Sequence, residues 1–125
     1  MREMRKSKVL HARPSISPYD EHYEMAFVYC VDVATKYCFS LTRLPGQGEI
    51  EVMVLDQLNA SVEDLNLALN GNVLTAHLDS ETVSQLDGFD EYVVSLDVSH
   101  EERRQLITAL NKIFEGKRGF RVESS

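Results

Sequence analysis

The sequence predicts an α+β domain: a mostly antiparallel, meandering sheet of about six strands, packed by a C-terminal amphipathic helix. Three observations carry this prediction. Short runs rich in aromatic and β-branched residues recur between turn signals. Asn70-Gly71 sits between two alternating leucine-bearing runs, and a capping pattern at Ser99 opens the last apolar repeat of helical period.

Residues 1–19 are basic and polar, punctuated by Pro14 and Pro18, with neither a helical nor a strand period. They read as a flexible arm ahead of a single domain at 20–125. Met25-Ala26-Phe27-Val28-Tyr29-Cys30-Val31 and Tyr37-Cys38-Phe39-Ser40-Leu41 read as two strands, joined as a hairpin by the short interval 32–36. Leu44-Pro45-Gly46-Gln47-Gly48 breaks the second. In the third, over 49–56, Ile50, Val52 and Val54 alternate with Glu49, Glu51 and Met53.

A two-residue turn at Asn70-Gly71 sets Leu67 opposite Leu74 and Leu65 opposite Ala76, with Leu65, Leu67, Leu69, Leu74, Ala76 and Leu78 on one face. Asp79-Ser80-Glu81 starts a short helical or irregular turn reaching Leu86, and Glu91-Tyr92-Val93-Val94-Ser95-Leu96 is the last strong strand. Ser99 and Glu102 form the S-x-x-E box of the closing helix, whose stripe is Leu106, Ile107, Leu110, Ile113 and Phe114, with Gly116 stopping it.

Hydrophobic residues make up 43% of the 125 positions and charged ones 26%, with six Gly and three Pro, which excludes disordered and collagen-like chains. No apolar run reaches the length of a membrane span or a signal peptide, and two cysteines read as free thiols, so the cytoplasm is the expected compartment. The net charge of −7 is unevenly spread. Residues 1–18 hold five cations against Glu3, whereas no Lys or Arg stands between Arg43 and Arg103 while 13 carboxylates do. So acidic a body disfavours a direct grip on nucleic-acid phosphate and suits electrostatic steering of a basic partner; a face kept charged for solubility is the plainer alternative.

His11, His22, His77 and His100 stand apart from one another and from the cysteines, so no metal or cofactor is expected. There is no G-x-S-x-G nucleophile elbow, and Gly46-Gln47-Gly48 is a turn rather than a phosphate cradle. The pattern points to a protein that binds rather than catalyses.

The order of elements resembles a family of bacterial polymorphic-toxin immunity proteins, the tenth numbered immunity family. The resemblance spans about residues 27–116. It rests on Tyr-Cys-Phe-Ser-Leu-Thr-Arg at 37–43, the run 51–57 ending in Asp56-Gln57, the strands at 73–78 and 92–97, and the helix end Ile113-Phe114-Glu115-Gly116. Asn59-Ala60-Ser61-Val62 departs from the family's glycine-containing turn. The resemblance implies a non-enzymatic cytoplasmic protein that neutralises a cognate toxin domain.

The contact surface is then expected on an exposed sheet face through Glu49, Glu51, Asp56, Glu63, Asp64, Asp87, Asp90 and Glu91, with Tyr29, Tyr37 and Phe89 as competing aromatic anchors. Two other classes stay open. One is a small-ligand-binding protein or small enzyme with a site between sheet and helix or at a dimer interface; the other is a homodimer built on an apolar second sheet face.

Overall fold

The structure is a computed structural model that describes residues 7–20, 25–43, 48–55 and 57–123; for 17–20 and 25 only the backbone is described. In chain order its elements are β1 (Ser7–Asp20), β2 (Met25–Asp32), β3 (Cys38–Arg43), β4 (Ile50–Val54), β5 (Leu58–Val62), β6 (Asn66–Asn70), β7 (Val73–His77), α1 (Ser80–Gln85), β8 (Glu91–Leu96), α2 (His100–Ile113) and β9 (Phe120–Glu123). The strands form one mixed sheet, in the order β5-β4-β3-β2-β1-β8-β7-β6-β9, curled into a half-barrel.

This corrects the expected six-stranded antiparallel sheet covered by a helix. Among the described residues there are nine strands, and two pairings, β1 with β8 and β6 with β9, are parallel. Segment 7–20, read as a flexible arm, is the longest strand and lies mid-sheet; residues 1–6 lie outside the described residues. Its first half pairs with β8 from Ser7↔Glu91 to Ala12↔Leu96, and its second half with β2 from Ala12↔Asp32 onward. The two halves of the sheet thus share β1 and overlap at Ala12. Beyond that residue the β8 side of β1 is open, and an open strand edge tolerates the proline at position 14.

The curl turns one face inward. Leu10, Ala12, Val28, Cys30, Leu41, Ile50, Val52, Leu67, Leu69, Leu74 and Val94 are buried there, and α2 lies against β1, β2 and β3 with Leu106, Ala109, Leu110 and Ile113 buried. Phe39 of β3 and Tyr92 of β8 stack at 4.8 Å between ring centroids, so the two sides of β1 meet inside the curl.

The α2 capping box forms as expected: Glu102 N–H donates to the Ser99 hydroxyl at 3.2 Å and Ser99 N–H to the Glu102 carboxylate at 2.9 Å. The Arg43 guanidinium donates to the Ile113 and Glu115 carbonyls, setting a cation at the negative end of the helix. Among the described residues no helix is long and apolar enough to cross a membrane.

The β6–β7 hairpin keeps its expected inner face but not its expected partners. Leu69 faces Leu74 and Leu67 faces Ala76, because the turn is Gly71-Asn72 rather than Asn70-Gly71. Gly71 has φ +60 and Asn72 does not have a positive φ, as in a II′ turn with glycine first. The register moves by two residues, so every side chain stays on its face.

Two aspartates knot the chain. Asp32 accepts from the N–H groups of His11, Ala34 and Thr35 and from the Thr35 hydroxyl, at 2.8–3.1 Å, and these donors hold its carboxyl well below the usual range. Asp64 accepts from the N–H groups of Leu65, Arg118 and Gly119 at 2.9–3.1 Å, seating the segment that leads into β9. A side chain at Gly119 would meet the Leu65 carbonyl at 1.8 Å, so this close approach requires glycine.

Candidate functional site

The carboxylates expected to form one surface are dispersed, and three of them, Asp64, Asp87 and Glu91, have structural tasks. Asp64 is the knot just described. Asp87 accepts from the Tyr37 hydroxyl at 3.0 Å, and Tyr37 lies 3.0 Å from the Tyr92 hydroxyl; burial pushes both phenols above their ordinary range. Glu91 takes the His77 Nε2 at 2.8 Å and the Ser7 hydroxyl. Asp90 is half-buried, its carbonyl accepting from Leu78 N–H at 2.9 Å. Asp56 lies outside the described residues.

Glu49, Glu51 and Glu63 remain together. Glu49 and Glu63 are exposed and flank the paired Ile50 and Val62, and Glu51 lies on the outer face of β4 between Thr42 and Ser61. The registers also separate the two acidic regions. Glu91 is level with Ser7, whereas Glu51 is level, through Thr42 and Phe27, with Ser17. Those ten residues of β1 are about 33 Å of strand.

The outer face of β2–β5 thus forms the candidate site. Inward residues Ala26, Val28 and Cys30 leave Phe27, Tyr29 and Val31 pointing outward, each half-buried. The pairings add two rows beside them, Tyr29–Ser40–Met53–Asn59 and Phe27–Thr42–Glu51–Ser61. Among the described residues these outer positions hold no Lys or Arg. Carboxylates beside half-exposed aromatic rings, with Lys117 reaching the Gly48 carbonyl at their border, suit a partner that brings further positive charge.

Of the expected anchors, Tyr29 is on this face, whereas Tyr37 is buried and Phe89 packs edge-on against Tyr92 at 6.0 Å. Lys8 stands 4.6 Å above the Tyr37 ring and closes that end of the core. Phe27 was missed by the sequence reading. Both alternations of 25–31 are apolar, so the pattern cannot say which side faces out.

Ser7, Glu91 and His77 resemble a catalytic trio only in composition. The carboxylate is in the middle, so the serine hydroxyl donates to Glu91 and does not meet the imidazole. Cys30 is pushed up to about 12 by burial, and Cys38 Sγ sits 3.3 Å from both the Tyr29 hydroxyl and the Lys36 carbonyl. Both cysteines are buried thiols outside any disulfide. Among the described residues no three His, Cys, Asp or Glu side chains come together as a metal site, and no buried side-chain polar atom lacks a partner.

Surface grooves lie elsewhere. One of about 480 Å³ crosses the outer face of β7, β6 and β9 beside Val73, His77 and Arg121. Another, of about 380 Å³, lies beside His11, Val33 and Asp97. Comparison with protein families, with characterised proteins and with solved structures finds no match to this chain.

Proposed function

We propose that the chain is a non-enzymatic cytoplasmic binding protein of the immunity type, which neutralises a basic toxin domain by docking on the outer face of β2–β5. One observation carries the reading. Glu49, Glu51 and Glu63 adjoin Phe27, Tyr29 and Met53 on a face without Lys or Arg among the described residues. The rings supply apolar contact area, and the carboxylates accelerate encounter with a cationic partner and disfavour acidic ones. The resemblance of residues 27–116 to toxin-immunity proteins supports the same class.

The test is capture of a partner from lysate of the source cells, with the wild type and with Glu49→Lys, Glu51→Lys and Glu63→Lys combined. The wild type should retain a large protein through a basic domain at low salt and release it at high salt. The triple variant should retain none at either salt while keeping its circular dichroism. Equal retention by both proteins would remove the basis of the proposal.

A further inference from the structure

The β6–β7 hairpin ends in a pair of residues with a covalent chemistry of their own. Of the five asparagines, at 59, 66, 70, 72 and 111, Asn70 alone precedes a glycine. Gly71 has no side chain to shield its backbone nitrogen and gives the peptide wide freedom, the conditions under which an asparagine cyclises onto the next residue. Asn70 is also exposed, and it lines the groove on the outer face of β7, β6 and β9 with Arg121 and Glu123. Asn72 in the same turn differs, because its amide donates to the Val98 carbonyl at 3.4 Å and a β-branched valine follows it. The related pair Asp87-Gly88 is held as well, its carboxylate accepting from the Tyr37 hydroxyl at 3.0 Å.

The folded turn restrains the reaction. Asn70 is the last residue of β6, level with Val73 of β7 and with Glu123 of β9, and ring closure requires its backbone to turn out of that pairing. Arg103 of α2 opposes such a turn by donating from Nε to the Gly71 carbonyl at 2.7 Å, and Leu96 N–H holds the Asn72 carbonyl at 2.8 Å. On the other flank stands only β9, four residues long, of which Phe120 alone packs against the core. A short terminal strand opens more readily than the sheet behind it, so the hairpin end is released from the β9 side.

We infer that Asn70 is a site of spontaneous deamidation in the folded protein, with Arg103 and β9 setting its rate. In the opened turn the Gly71 backbone nitrogen attacks the side-chain carbonyl carbon of Asn70. The bond from that carbon to the amide nitrogen breaks, the Gly71 N–H proton leaves with it as ammonia, and a succinimide ring closes. Water then adds to either ring carbonyl and opens the ring to aspartate or isoaspartate; nothing is oxidised or reduced, and water is the one co-reactant. Either product sets a carboxylate level with Glu123 on the neighbouring strand, where like charges repel. Isoaspartate also lengthens the main chain by one carbon and breaks the match with Val73. The modified chain therefore loosens its hold on β9.

Incubation of the full chain at mildly alkaline pH, followed over time by peptide mapping with mass spectrometry, tests this. Asn70 should convert ahead of the other four asparagines, to aspartate and isoaspartate, and Asn70→Gln should stay unmodified at that position. Arg103→Gln should speed the conversion roughly tenfold, the gain in open population when a hydrogen bond to a charged group is removed. Its β2–β5 amides should keep their protection, which shows that the hairpin end has opened and not the whole domain. Asn70→Asp, one product made directly, should quicken amide exchange in β9 several-fold. An intact Asn70 in both the wild type and Arg103→Gln would overturn the inference, as would conversion led by another asparagine or a rate indifferent to Arg103.

Discussion

On one side of β1 the chain is a meander: β2, β3, β4 and β5 each pair with the strand before. On the other side the order is β8, β7, β6, β9, entered by a parallel pairing across most of the chain and closed by another. The first side shows rings and the carboxylates of Glu49, Glu51 and Glu63 on its outer face, and the second shows valines with paired charges. Local connectivity, then, produced a side whose surface is free to carry net charge. The side assembled from distant segments is tied by the polar knot at Asp64 and leaves Val9 and Val73 exposed.

The comparison can be attacked first at the ring that joins the sides. Tyr92 is fully buried and stacked on Phe39, so Tyr92→Ala should cost about 3–5 kcal/mol in urea unfolding. Both sides should still melt in one transition. Separate transitions by amide exchange would show two independent units instead of one.

Next in effect is Asp32→Asn, at the junction of β1 with the meander. The folded carboxyl of Asp32 is lowered from an ordinary value of 3.8, so its contribution is complete above about pH 4 and is lost as the pH falls below that toward the folded value. The variant should be less stable than the wild type at neutral pH, and the gap should narrow through acid. A constant gap from neutral pH to pH 2 would refute the assignment.

Asp64→Ala is the counterpart on the other side. With its carboxylate exposed, it should lose about 1 kcal/mol. Amide exchange should quicken in β9 and β6 while β2–β5 keep their protection. The smallest effect belongs to the meander's own flaw, Leu55, which is 38% exposed with φ +58 in the β4–β5 turn. Leu55→Gly should raise stability by about 0.5–1 kcal/mol, read from the thermal midpoint.

What the sequence disclosed follows the same division. The hairpin of β2 and β3, the alternation of β4, the β6–β7 face and the Ser99 box are local patterns, readable in a window of a few residues. β1 was not, because only Leu10 and Ala12 of its described side chains are buried inward and its cations and prolines mimic a loop. β9 was not, because its partner β6 lies some fifty residues earlier and only Phe120 reaches the core. β5, with Ala60 its single fully buried side chain, carries almost no hydrophobic period.

The candidate site was legible in its chemistry and not in its layout. The cation-free stretch could be counted, yet whether a given aspartate faces water or holds a backbone N–H depends on strands that meet only in three dimensions. Asp64 and Asp87 show the point, since their donors come from residues 118–119 and from Tyr37.

The shared strand has a consequence during synthesis. β1 can dock on β2 once about thirty residues have left the ribosome, but Ser7 waits for Glu91, 84 positions later, before its other edge is covered. Through that interval a growing chain carries an unsatisfied strand edge, the kind of surface that recruits chaperones or aggregates. Such distant closure makes for slow folding, in the range of milliseconds to seconds.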